Sequence, residues 1–333
     1  MRAALAAVCL VVGTAAANHL QAQEPREPPA NDEVVKVNTD LLVFPIRIRD
    51  KRGPATAILT ERDLLLKDED RVTSGMFLYH GADRVALVFA LDESGSLREI
   101  VSQQREAALG LFGRFSERSQ VAVIRFAERP SLVAPFGRDM SATRAAFRFP
   151  VRANQHTAIF DAAAAAVEAF AALPRIRFER RIVILISDGL DNASTTRAAP
   201  IIEAALQKQV SFYVIHLPLF EVRDGRLAVR PPAKGFRELA EKTGGKYFLV
   251  GDAKSVLLQP TGGSNIDLTP IFQAIEDDLR SQYLLGFYAA DASRDGRRHS
   301  LTVSMPAGVE FQVGGRGYAR SRGFFVQMPS NPK

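Results

Sequence analysis

Cysteine is almost absent: Cys9 stands alone in 333 residues. It sits inside an apolar N-terminal stretch, so no disulfide framework, thiolate zinc site or thiol nucleophile can be assembled. Metal or catalytic chemistry must therefore use oxygen and nitrogen. Long apolar runs are missing as well. The stretch from Ala3 to Ala17 falls short of the roughly 20 residues a membrane-spanning helix needs, and nothing later in the chain approaches that length. An extreme charge balance is also lacking. Lys and Arg number 43 against 37 Asp and Glu, a net charge of +6, which rules out neither membranes nor nucleic acid. There is no internal repeat and no Gly-x-Ser-x-Gly nucleophile elbow. What is present is apolar surface: 47% of residues are hydrophobic. Against a prior of about 150 residues per domain, this length predicts about two domains with real cores and excludes a disordered or collagen-like chain.

Met1-Arg2, the apolar run, and then Asn18 to Gln23, with small residues at Ala15, Ala17 and Ala22, have the layout of a secretory signal peptide. Cleavage is expected after Ala17 or Ala22, and residues 1–22 are assigned to the signal. Cys9 lies within the apolar core and has no small residue before it, unlike a lipoprotein cysteine. The mature protein is expected to lack cysteine and an integral membrane span and to be secreted or held in the periplasm or cell envelope. Residues 23–33, with Pro25, Pro28 and Pro29 among charges, read as a flexible linker.

From residue 34 to 82 short β runs, Leu41–Ile48, Asp63–Lys67 and Met76–Tyr79, alternate with turn chemistry at Asp50–Pro54 and Lys67–Asp70, predicting a small β module. The texture changes near Arg84. Residues 84–258 alternate buried strands with amphipathic helices, starting from the continuous apolar run Val85–Leu91 of the kind found in sheets covered on both faces. A helix with a Ser96–Glu99 capping box follows. Strand Gln120–Phe126 with hairpin partner Leu132–Pro135, helix Thr157–Leu173, strand Arg181–Ile186, helix Ala198–Gln207, strand Val210–His216, helix Lys234–Thr243 and strand Lys246–Val250 complete the series. The expected fold is α/β: a doubly wound, mostly parallel sheet. Residues 265–326 contain a helix, Leu268–Gln282, and a β segment. Neither this part nor the N-terminal module has enough apolar surface alone, so the two are expected to pack together as a flanking small β module.

Three places can carry chemistry, and each has a plain alternative. Asp92-Glu93-Ser94-Gly95-Ser96 can be a strand end, turn and helix cap. Thr157 can be a cap on the next long helix, and Ser187-Asp188-Gly189 an ordinary turn. Their joint placement matters more, because ligands of doubly wound sheets bind outside the carboxyl ends of the strands, where strand order reverses. With the order 3-2-1-4-5-6 the strands ending in Asp92 and Asp188 are neighbours, and Thr157 reaches the same edge. Hydroxyls of Ser94, Ser96 and Thr157 with carboxylates of Asp92 and Asp188 form an all-oxygen set suited to Mg²⁺, Mn²⁺ or Ca²⁺ rather than zinc or copper.

Asp92-x-Ser94-x-Ser96, Thr157 in Thr-Ala-Ile-Phe-Asp-Ala, and Ser187-Asp188-Gly189 together resemble the metal-ion-dependent adhesion site (MIDAS) of von Willebrand factor type A domains. The resemblance covers roughly Arg84 to Val250. The flanks, with Glu69-Asp70, Met76-Phe77 and Gln282–Tyr288, are similar to the secreted bacterial VWFA-related domain family. The resemblance implies that Asp92, Ser94, Ser96, Thr157 and Asp188 hold Mg²⁺ (or Mn²⁺ or Ca²⁺). It also implies that the protein is not an enzyme but an adhesion or assembly module, whose protein ligand presents an exposed Asp or Glu carboxylate. Asn154-Gln155-His156 stands where related domains often carry glycine, and of five histidines only His156 is placed near the edge. Phe220–Val229, with Asp224-Gly225 at its centre, reads as an inserted hairpin that projects from this edge and helps choose the partner.

A metal-dependent phosphohydrolase on a similar sheet is the competing class, weakened by Ser94 where a second carboxylate would serve as general acid. Nucleic-acid binding rests only on basic clusters such as Arg175–Arg181, which read more simply as solvated faces.

Overall fold

A computed structural model describes residues 41–50, 59–69, 71–73, 75–82, 84–93, 97–115, 117–149, 156–174, 176, 179–251, 266–288, 298–299, 301–304, 309–313 and 325–326. All lie in the unit Thr39–Lys333. The signal peptide, the linker, Ser94 and Ser96 fall outside the described residues.

The central sheet has six strands: β5 (Val85–Asp92), β6 (Gln120–Phe126), β7 (Pro130–Gly137), β8 (Arg180–Ser187), β9 (Val210–His216) and β12 (Tyr247–Leu249). Its spatial order is β12-β9-β8-β5-β6-β7. Numbered within the sheet, this is the expected 3-2-1-4-5-6 order, parallel except for β7, which pairs antiparallel with β6. Every residue of β5 and β8 is buried, as a strand covered on both faces requires. The period-two alternation of β5 divides its side chains between two cores. Leu87, Phe89 and Leu91 meet Leu97, Val101, Leu111, Phe272 and Leu279 on one face. Ala86, Val88 and Ala90 meet Ile159, Phe160, Phe212 and Phe236 on the other.

Helices α1 (Arg98–Gln103), α2 (Arg105–Gly113), α3 (Met140–Ala146) and α7 (Thr269–Ser281) contribute to the first face, and α4 (Ile159–Ala169), α5 (Ala198–Gln207) and α6 (Phe236–Thr243) to the second. The expected helix after β5 is two helices broken at Gln104. That side chain is turned to other work: its amide donates to the Ile266 carbonyl, and its Oε1 accepts from the Leu268 N–H at 2.9 Å. The helix begins at Arg98 with Leu97 at the cap and no side-chain cap bond, one residue later than a Ser96–Glu99 box requires. Helix α3, capped by Asp139 on the Ser141 N–H at 2.8 Å, was not expected.

The flanking module joins both ends of the described chain. Strands β1 (Leu41–Asp50), β4 (Phe77–His80), β13 (Gln282–Tyr288) and β16 (Val309–Val313) form a sheet in the order β16-β1-β13-β4, with Leu41 opposite Tyr288 and Ile46 opposite Tyr283. A second sheet pairs β2 (Leu65–Asp68) with β3 (Arg71–Val72) and β15 (Leu301–Ser304). Leu42, Ile46, Leu66, Leu285, Phe287 and Leu301 fill the core they share. Helix α7 runs into β13 without a loop, Gln282 following Ser281 already extended.

Among the described residues no helix is long and apolar enough to cross a membrane.

Candidate metal centre

The carboxyl ends of β5 and β8 lie side by side, since Leu91 is in register with Ile186. Asp92 is the last residue of β5 and fully buried. Its Oδ2 accepts from the Ser187 hydroxyl at 2.6 Å. Ser187 in turn accepts from the Gly189 N–H at 3.2 Å, so Ser187 ties the two aspartate-bearing strand ends together.

Asp188 is buried, and its Oδ1 accepts from the Leu190 N–H at 2.9 Å. Burial pushes its carboxyl above the ordinary carboxylate value, while the Leu190 amide and the Arg230 charge pull against that shift. The turn that carries it needs glycine next. Gly189 has φ of +82°, and a Cβ there would lie 2.6 Å from Pro232 Cβ.

Thr157 is buried two residues before α4. The loop after β8 clasps it: its N–H donates to Asn192 Oδ1 at 2.7 Å, and its carbonyl accepts from the N–H groups of Asn192 and Ala193 at 3.0 and 3.2 Å. Ser194 of the same loop caps α4, its hydroxyl accepting from the Phe160 and Asp161 N–H groups at 2.9 and 3.2 Å. Asp161 answers by accepting from the Thr195 and Thr196 N–H groups at 3.0 and 2.8 Å. The structure thus brings Asp92, Thr157 and Asp188 to one sheet edge through a single loop. Ser94 and Ser96 fall in the segment after Asp92 that is outside the described residues.

Glu93 is committed elsewhere, to Arg125 at 2.7 Å. Among the described residues no group of three or more His, Cys, Asp or Glu gathers, and the expected set contains only two acids.

The donor chemistry fits a hard cation. Among the partners of Asp92 and Asp188 are the Ser187 hydroxyl and the Leu190 N–H. Elsewhere the buried acids are answered by full charges: Glu179 by Arg84 and Asp278 by Lys246, both at 2.7 Å. Two carboxylates drawn into a low-dielectric edge favour a positive charge beside them.

Two expectations need correction. The edge histidine is His216, the last residue of β9, fully buried. Its Nε2 meets the Asp188 carbonyl at 2.8 Å, and its Nδ1 meets the Tyr247 hydroxyl. Because a carbonyl only accepts, Nε2 carries the proton and Nδ1 accepts from Tyr247; burial holds the imidazole pKa below its ordinary value. His156 is exposed. The clue was its position, because His216 ends a strand on the same edge as Asp92. Arg180 and Arg181 are likewise not on a solvated face. Both are buried, and Arg181 donates to the Pro174 carbonyl at 2.9 Å.

The hairpin forms as expected. Strands β10 (Phe220–Arg223) and β11 (Arg226–Val229) flank Asp224 and Gly225, whose φ values of 52° and 72° suit a two-residue turn of the primed type.

Residues 87–190 match the family model of the von Willebrand factor type A domain. Similar solved structures include an aerotolerance-related membrane protein from Bacteroides fragilis, at 18% identity over 59% of this chain and 98% of that one, with a TM-score of 0.43. The conserved hypothetical protein BatB from Bacteroides thetaiotaomicron is 20% identical over 58% and 98% of the two chains, with a TM-score of 0.41. Proximal thread matrix protein 1 from the mussel byssus, solved with a zinc-occupied MIDAS motif, is 15% identical over 65% of this chain and 50% of that one, with a TM-score of 0.46. No curated protein matches the chain.

Proposed function

We propose, starting from the von Willebrand factor type A domain that this chain carries at residues 87–190, that the protein is a secreted or envelope-located binding module. It takes up a divalent cation and through it recognises an acidic group on a protein partner. The observation that carries this reading is the pair of buried aspartates, Asp92 and Asp188, tied together through Ser187 at one strand edge with Thr157 clasped beside them. Asp92, Ser94, Ser96, Thr157 and Asp188 would hold the ion, Mg²⁺ by preference and Mn²⁺ or Ca²⁺ as alternatives. Once bound it supplies a positive centre that a carboxylate from outside can complete.

The protein's own part is preorganisation. Ser187 and the Leu190 amide fix the two carboxylates, and His216 holds the Asp188 backbone through its carbonyl. Gly189 permits the turn, and the Asn192–Ser194 loop sets Thr157 and the start of α4. Three hydroxyls in the set leave the ion more of its charge than an all-carboxylate cage would, and that charge is what draws the partner's acid.

Isothermal titration of the purified protein with Mg²⁺ and Mn²⁺, with and without a glutamate-rich peptide, tests the reading. Saturable one-site binding that is lost in Ser94→Ala and Asp188→Ala is expected. Failure to bind either metal even with the peptide present would overturn it, as would turnover of a chromogenic phosphate ester that Asp92→Ala abolishes.

A further inference from the structure

We propose that Arg230 is a second acid-binding contact of this edge, so that the partner segment presents two carboxylates, one to the cation and one to the Arg230 guanidinium. This rests on the cation site proposed above and deepens it from a single acid to a spaced pair.

The geometry starts where β9 ends. The chain leaves His216 into the β10–β11 hairpin, and both ends of the excursion are fastened to the aspartate-bearing turn. On the way out, the Leu217 N–H donates to the Ser187 carbonyl at 2.9 Å; on the return, the Ala233 N–H donates to the Gly189 carbonyl at 2.7 Å. Pro232 lies directly against Gly189, leaving no room there even for a methyl group. Arg230 is two residues before Pro232 and closes the hairpin base, its N–H donating to the Leu219 carbonyl at 2.8 Å. Its backbone is therefore held against the site from two directions.

The side chain is not used to build the fold. Arg230 is exposed, and among the described residues no carboxylate forms an ion pair with it. Arg223 and Arg237 differ, pairing with Glu221 at 2.8 Å and Glu241 at 2.6 Å. A guanidinium carried on backbone that is fastened to the Asp188 turn adds positive charge near the proposed cation, and a second carboxylate from the ligand offsets that charge. Guanidinium also offers the forked donor geometry that carboxylates match. The hairpin stands as its own two-stranded sheet with Val222 77% exposed.

The test uses the purified protein in saturating Mg²⁺ and labelled peptides of equal length read by fluorescence polarisation. One peptide carries a single glutamate; three others carry a second glutamate one, two or three residues further on. At least one diacid peptide is expected to bind the wild type about tenfold more tightly than the single-acid peptide, the size of one charge-assisted contact. Arg230→Gln is expected to erase that preference, to leave single-acid affinity within about twofold, and to leave Mg²⁺ binding as tight or tighter. Arg230→Lys is expected to keep part of the preference. No diacid preference in the wild type, or a preference that survives in Arg230→Gln, overturns the Arg230 role while leaving the cation site standing. A wild type that binds neither Mg²⁺ nor the single-acid peptide overturns the cation site and the Arg230 role together.

Discussion

The two ends of the central sheet treat buried acid in opposite ways. Just before β8, the Glu179 side chain is 1% exposed and meets Arg84, which immediately precedes β5, at 2.7 Å. Just before β12, Lys246 meets Asp278 at 2.7 Å, and Asp278 also accepts from the Tyr213 hydroxyl and the Gln282 amide at 2.8 and 2.6 Å. At the carboxyl ends, Asp92 and Asp188 are equally enclosed, yet the partners shown for them are Ser187 and the Leu190 N–H. At the amino end, removing one member of such an ion pair strands its partner's charge. At the carboxyl end, two buried carboxylates side by side favour a positive charge beside them.

The largest break in this comparison comes from the amino end. Glu179→Ala leaves Arg84 without its acid and is expected to cost about 3 kcal/mol of unfolding free energy, with or without Mg²⁺. Asp188→Asn in the absence of metal should shift stability by less than about 1 kcal/mol. Urea unfolding in EDTA compares the two, and equal losses would remove the distinction between the ends.

A middle-sized effect sharpens the geometry of the carboxyl end. Gly189→Ala places a methyl against Pro232 at a backbone angle that favours glycine, for an expected cost of about 2 kcal/mol. It should weaken Mg²⁺ binding as well, because the residue adjoins Asp188; thermal unfolding and titration calorimetry read the two effects.

The smallest effect concerns the clasp that sets Thr157. Burial pushes the Asp161 carboxyl up, but hydrogen bonds from Thr196 and Thr195 outweigh it and hold the pKa below the ordinary value. A depressed folded-state pKa stabilises the fold above the unfolded value and loses that contribution as pH falls through the folded one. Asp161→Ala is therefore expected to cost about 1 kcal/mol at pH 7. The gap from wild type should close below about pH 4, read from urea unfolding across pH; a gap that persists into acid would mean that the carboxylate contributes nothing through its charge.

Legibility in the sequence followed the strength of local pattern. Helix α5, strand β9 and the hairpin at Asp224-Gly225 stand at the expected residues, because an amphipathic repeat, an apolar run or a turn pair marks each one locally. Helix α3 was missed because its seven residues are too short a run to show a helical repeat and it depends on Asp139 as its cap. The break at Gln104 was invisible because its cause is the distant backbone of Ile266 and Leu268. The placing of Asp92 and Asp188 at neighbouring strand ends, and of Thr157 just before the next helix, was readable from strand ends and spacing. His216 was not, since its place is set by contact with a turn 28 positions earlier in the chain.

By itself the sequence determined the alternation of strands and helices, the sulfur-free chemistry of a chain with one cysteine, and the residues that stand at strand ends. Those properties are local, set by side-chain period, turn propensity and the kinds of atom available. Tertiary structure alone decided which acids would be answered by the protein's own cations. Only there does pairing across the sheet bring Arg84 to Glu179 and Lys246 to Asp278, set the Ser187 hydroxyl on Asp92 and fasten the hairpin's return to the turn that carries Asp188.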